Sequence, residues 1–153
     1  MDINRNDIRR FVIAANSYDG AYQMVCKKMG IKSNMLWLLY AMDDGELHTQ
    51  KQICEDWLIP KTTVNTLIKE CESVGHVTLH SIPSKRELQI CLTESGKAYA
   101  RKALNVIYKA EENALQLTLQ EYDPSFMLTF VLALESFVEN IKIAFEKASE
   151  EME

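Results

Sequence analysis

The chain has 153 residues, 47% of them hydrophobic and 25% charged, with a formal net charge of −5. That length suits one domain with one real core, and no apolar run approaches the roughly 18 residues of a membrane span. Cys26, Cys54, Cys71 and Cys91 are scattered without a C-x-x-C pair, which argues against zinc clusters and redox pairs. The start, Met1-Asp2-Ile3-Asn4-Arg5, lacks an apolar signal core, so a cytoplasmic protein is expected.

The spacing of Ile8, Val12, Ala15, Tyr22, Cys26 and Met29 predicts a first helix over residues 3–29, ended by Gly30. Ser33 is expected to cap a short helix over residues 35–42. Met35, Leu36, Trp37, Leu38, Leu39, Tyr40, Ala41 and Met42 make it apolar nearly all round, which marks a buried element. Asp43-Asp44-Gly45 closes it. Thr49-Gln50-Lys51-Gln52 has the form of a capping box, opening a helix with Ile53, Cys54, Trp57 and Leu58 on its apolar face. Ile59-Pro60 breaks that helix, and Pro60 suits the first turn of the next one. There Val64, Leu67, Ile68 and Cys71 point inward as far as Val74-Gly75. Two short helices joined by a tight turn make a helix-turn-helix.

After Gly75 the period changes to two. Val77 and Leu79, then Leu88, Ile90 and Leu92, alternate with polar neighbours around Ile82-Pro83-Ser84-Lys85-Arg86, a β-hairpin with a basic tip. Thr93-Glu94 opens a long helix to about residue 120, with a near-heptad stripe of Ala103, Ile107, Ala110, Ala114 and Leu117. Asp123-Pro124 starts a last helix. Phe130, Leu134, Phe137, Ile141 and Phe145 line one side of it, thickened by Val131, Val138 and Ala144. From residue 146 the chain turns acidic, and residues 150–153 are expected to fray.

The charge is unevenly spread. Residues 60–102 carry seven cations against four carboxylates, a net of +3, whereas residues 103–153 carry three against ten, a net of −7. The basic excess coincides with the helix-turn-helix and the hairpin, where a nucleic-acid partner would sit.

In a helix-turn-helix the second helix enters the major groove of double-stranded DNA. Its outward residues here are Lys61, Thr62, Asn65, Thr66 and Lys69, with Thr63 near the first turn. Asn can bond adenine on two atoms, Thr offers a hydroxyl and a methyl for thymine, and Lys61 and Lys69 can neutralise phosphates. At the hairpin tip, Ser84, Lys85 and Arg86 are candidate wing contacts, an arginine there being suited to a narrow minor groove. The apolar stripes of the terminal helices exceed what one small core absorbs. Ile8, Val12, Ala15, Phe130, Leu134, Phe137, Ile141 and Phe145 are therefore expected to form a homodimer interface.

The expected architecture is mostly α with a small β-hairpin wing: a winged helix-turn-helix with flanking dimerisation helices in a single domain over residues 1–153. Residues 33–102 form the reading head, and residues 1–30 and 103–149 the dimerisation helices. No H-E-x-x-H, G-x-S-x-G or Gly-rich phosphate loop occurs, so no catalytic residue, enzyme activity or cofactor is expected. His76 and His80 stand four apart on a strand, roughly 13 Å, too far to share one metal ion.

The order of elements, with the run Pro60-Lys61-Thr62-Thr63-Val64-Asn65-Thr66-Leu67-Ile68-Lys69, then Gly75-His76-Val77 and Leu92-Thr93-Glu94-Ser95-Gly96, resembles the MarR family of bacterial transcriptional regulators. The resemblance covers almost the whole chain. It implies a homodimer on a pseudo-palindromic operator, a recognition helix over residues 60–74 and a wing in the hairpin, with Arg86 matching the family's wing arginine. The family usually has Asp where this chain has Ser84, and often a basic residue where it has Leu79. The resemblance also implies a repressor released by an effector, with Tyr18, Tyr22, Trp37 and Tyr40 as candidates for a small-molecule cleft. Cys26, followed by Lys27 and Lys28, is the candidate for an oxidant-sensing thiol. The alternative is a winged-helix dimer with weak or no DNA binding that contacts a protein instead.

Overall fold

The computed structural model describes residues 4–82 and 87–152, in two compact units, residues 1–107 and 108–153. The described elements are α1 (Arg5–Met29), α2 (Ser33–Ala41), β1 (His48–Thr49), α3 (Gln50–Asp56), α4 (Lys61–Ser73), β2 (Val77–Ser81), β3 (Leu88–Leu92), α5 (Glu94–Thr118) and α6 (Pro124–Glu150). The expected winged helix-turn-helix, mostly helical with a small sheet, is what the chain forms.

Its core lies in the first unit. Leu36, Leu38 and Leu39 of α2, Ile53 of α3, Val64 and Leu67 of α4 and Leu104 of α5 are all essentially withdrawn from water. Burying such side chains contributes roughly 1.5–3 kcal/mol each. The apolar character of α2 thus marks a central helix, as expected. One correction concerns its start: Ser33 is already helical, the cap is Lys32, and no side chain caps that end. At α1 the opposite happens. Asn4 accepts from the Asn6 and Asp7 amides, and the Asp7 carboxylate accepts from the Asn4 amide at 3.1 Å, a capping box that starts the helix two residues later than expected. Gly30 ends α1 in the left-handed conformation.

The Thr49 capping box is complete. Gln52 N–H donates to Thr49 Oγ1 at 3.2 Å, and Thr49 N–H donates to Gln52 Oε1 at 2.7 Å. Residues 48–49 also form a strand, β1, that periodicity could not reveal because it is two residues long. The sheet order is β1-β3-β2, all antiparallel, with His48 opposite Ile90 and Val77 opposite Leu92. The Asp44 carboxylate bonds His48 Nε2 at 2.9 Å and secures the approach to β1. That bond, first among its causes, holds the Asp44 carboxyl below the usual carboxylate range.

The α3–α4 turn departs from expectation twice. Leu58 does not join the apolar face of α3: it is 69% exposed and stands at φ 50°. That left-handed conformation normally favours glycine, because a Cβ crowds the following carbonyl. Pro60 occupies the cap position of α4 rather than its first turn.

The motif Thr93-Glu94-Ser95-Gly96 acts as a latch on Gly75-His76. Gly75, at φ 75°, closes α4 while His76 N–H reaches back to Cys71 O at 2.8 Å, the pairing of a Schellman end. Thr93 Oγ1 and Ser95 Oγ both donate to Gly75 O, at 2.6 and 2.9 Å, and Thr93 N–H donates to His76 O at 3.0 Å. A Cβ on Gly96 would fall 1.9 Å from His76 O, so no other residue lets α5 approach so closely. The base of the hairpin is thereby fastened to both helices that flank it.

α5 buries Gly96, Ala100, Ala103, Leu104 and Ile107. Ala110, Ala114 and Leu117, the rest of the expected stripe, are exposed in the single chain. α6 begins with Asp123 accepting from the Ser125 amide and Pro124 in the first turn, as the sequence predicts. It stays helical through Glu150, beyond the acidic turn of the sequence at residue 146, and none of its residues is buried.

Candidate nucleic-acid interface

Four buried residues fix the rotation of α4. Val64, Leu67, Ile68 and Cys71 recur at helical spacing and are all buried, so the opposite face must point outward. There Lys61, Thr62, Asn65, Thr66 and Lys69 are exposed and Thr63 is half-buried, as the periodicity predicted. Lys32, Lys51, Lys97 and Lys142 are held in ion pairs with Glu70, Glu55, Glu94 and Glu139. Among the described residues, the side chains of Lys61, Asn65 and Lys69 have no hydrogen bond or ion pair. They are free to bind an external partner at no internal cost. Thr66 Oγ1 donates to Thr62 O at 2.9 Å. Its proton is committed within the helix, while its oxygen can still accept and its methyl remains for apolar contact.

The start of α4 adds donors. Pro60 has no N–H and no side chain caps the helix, whose first backbone bond runs from Val64 N–H to Pro60 O at 3.0 Å. The amides of Lys61, Thr62 and Thr63 therefore have no intrahelical acceptor. With the positive end of the helix dipole, they suit a phosphate.

A cleft of about 560 Å³ opens beside this face, lined by α3, α4 and the sheet. It exposes two residues that sequence reasoning missed, Gln50 and Lys51 in the first turn of α3. Gln50 Nε2 donates to Lys61 O at 3.2 Å and ties the start of α3 to the start of α4. The capping box was the available signal: it places both residues at a helix N-terminus next to the turn. The candidate wing contacts Ser84, Lys85 and Arg86 lie outside the described residues.

The remaining candidates are distributed as follows. Tyr18, Tyr22, Trp37 and Tyr40 form one aromatic chain, with centroid separations of 4.9 Å for Tyr18–Tyr22, 4.8 Å for Tyr22–Trp37 and 6.2 Å for Trp37–Tyr40. Trp57, which periodicity had assigned to the face of α3, completes it at 5.9 Å from Trp37 and 5.5 Å from Tyr40. Cys26 is 1% exposed, and its thiol lacks the solvent access that an oxidant sensor requires. His76 bonds Ser95 and stacks on Tyr99, while His80 bonds Thr78. Of the expected dimer residues, Ile8, Val12 and Ala15 are exposed on α1. On α6, Phe130, Phe137 and Phe145 are exposed and Leu134 and Ile141 half-buried.

The chain is similar to a MarR family regulator from Neisseria meningitidis with a TM-score of 0.74 and 18% identity, over 95% of this chain and 99% of that one. The fold is that of the MarR regulators. A second similar structure is a MarR family transcriptional regulator from Listeria monocytogenes, complexed with a 26mer DNA: TM-score 0.68, 19% identity, covering 92% of this chain and 89% of that one. A third is S. aureus MepR in its DNA-binding conformation: TM-score 0.68, 18% identity, covering 85% and 96%. No protein-family model matches the sequence, and no curated protein matches it. The MarR fold is therefore visible in three dimensions at identities too low to carry function with it. No described helix is long and apolar enough to cross a membrane.

Proposed function

We propose that this chain is a homodimeric transcriptional regulator that reads double-stranded DNA in the cytoplasm. The observation that carries this is the outward face of α4. Its unpaired Lys61, Asn65 and Lys69 stand beside a helix N-terminus with uncommitted amides. Asn65 and Thr66 would read base edges, while Lys61, Lys69 and the amides of the first turn would hold phosphates. Lys85 and Arg86 of the wing would brace the flanks. The DNA-bound Listeria relative of the same fold supports this assignment.

The second half of the proposal rests on α6. A 27-residue helix with no buried side chain, displaying Phe126, Phe130, Phe137 and Phe145, is not a finished surface. A second copy would cover it, with the exposed Ile8 and Val12 of α1 contributing. A two-fold dimer sets two copies of α4 about one helical turn of DNA apart, roughly 34–36 Å, and so selects a pseudo-palindrome. Repression by occlusion of a promoter, with release by an effector bound near Tyr22, Trp37, Tyr40 and Trp57, completes the scheme.

Fluorescence anisotropy on the DNA upstream of the coding sequence and on a scrambled duplex, from 50 to 200 mM salt, tests it. We expect tighter binding to the upstream DNA, two protomers per duplex, and a loss of about 10³-fold or more across that salt range. Asn65→Ala should change the preferred bases, whereas Lys69→Ala should weaken all sequences alike. Absence of binding to either duplex at 50 mM salt would shift the assignment to a winged-helix dimer that contacts a protein.

A further inference from the structure

The cleft beside α4 is not uniformly basic. Lys51, Lys61 and Lys69 share its lining with Glu55, Glu72 and Glu87. Glu55 is partly neutralised by Lys51 at 3.9 Å. Among the described residues, neither Glu72 nor Glu87 has a cationic partner. The position of Glu72 is not explained by stability. Glu72 lies in the C-terminal part of α4, where the helix dipole disfavours a carboxylate and favours a cation. Glu87 immediately precedes β3, directly after Lys85-Arg86 in sequence. Both carboxylates occupy a concavity between the proposed reading helix and the wing stem, and concave walls focus a field more than a flat surface does.

We infer that Glu72 and Glu87 are specificity-determining residues that repel the phosphate backbone and suppress sequence-independent DNA binding. The inference rests on the proposed DNA-reading role of α4. Phosphate attraction supplies nearly all non-specific affinity, so a carboxylate near the backbone subtracts most from complexes that lack base contacts and rest on the phosphates alone. Base contacts through Asn65 and Thr66 are then needed to hold the dimer in place. Specificity rises because the wrong partner is penalised, not because the right one gains a contact.

The test is the affinity of Glu72→Gln, Glu87→Gln and the double variant for a scrambled 26-base-pair duplex, at 50 to 200 mM salt, beside the upstream DNA. Glu150→Gln, at the end of α6 and outside the cleft, controls for the same change in net charge. We expect each cleft variant to bind the scrambled duplex about threefold to tenfold more tightly. The double variant should gain more, the ratio of upstream to scrambled affinity should fall, and Glu150→Gln should match the parent. Melting temperatures within a few degrees of the parent verify folding, and Glu72→Lys should enlarge the gain. Unchanged or weaker binding by the cleft variants, or an equal gain in Glu150→Gln, would overturn the inference while leaving a parent that binds DNA intact. A parent that binds neither duplex at 50 mM salt would overturn the DNA-reading assignment and this inference with it.

Discussion

α4 and α6 are both amphipathic helices, and the chain treats them in opposite ways. α4 has 13 residues and buries Val64, Leu67, Ile68 and Cys71 within its own unit, so its outward face is polar. α6 has 27 residues and buries none, although Phe130, Phe137 and Phe145 are exposed by 43%, 38% and 65%. Hydrophobic stripes of similar strength thus have different meanings. One is satisfied inside the chain and leaves a polar face, the proposed DNA reader; the other is left uncovered in the single chain. A helical stripe tells which side of a helix avoids water, and only the packing tells whether the chain itself or a partner covers it.

The largest expected effect falls on the self-sufficient side. Gly96→Ala sets a methyl against the His76 carbonyl, a backbone obstacle that no rotamer relieves. It should cost about 3 kcal/mol, at the upper end for overpacking, measured as a lower urea midpoint. Next comes a break on the other side. Phe137→Ala should weaken self-association by about 2 kcal/mol, roughly 30-fold, if α6 is an interface anchor. Sedimentation would show this as a shift toward monomer at micromolar concentration. An unchanged urea midpoint of the monomeric variant would sharpen the comparison, while an unchanged association constant would break it. The smallest effect is a gain. Leu58→Gly relieves a left-handed leucine that makes no use of its side chain in the core. It should raise stability by about 0.5–1 kcal/mol after the entropy of glycine is subtracted, and a thermal melt would read it.

Much of this molecule was legible in its sequence, for identifiable reasons. Periodicity placed the inward set of α4 without error because one helix face is fully buried, which leaves a single consistent rotation. The Thr49–Gln52 capping box was readable because both partners lie within four residues. What escaped was whatever depends on distant neighbours or on very few residues. β1 is too short to show a period. The latch on Gly75 joins atoms 18 and 20 residues apart, so Thr93, Ser95 and Gly96 were recognisable as a motif without their cause. Leu58 matched the apolar pattern of α3 but lies past its last turn, where the backbone turns the side chain outward. The same holds for the site. The outward face of α4 followed from the pattern, but Gln50, Lys51, Glu72 and Glu87 emerged only when a cleft brought α3, α4 and the sheet together.

The fastening at Gly75 has a consequence for how such a protein can change. The start of β2 and the end of β3 are tied to the helices beside them at a bonded junction, where Gly75, His76, Thr93 and Ser95 meet. The end of α4, the base of the hairpin and the start of α5 are thus held by the same few bonds, so none of the three can shift alone. The four residues of the junction are bound to each other and would have to change together.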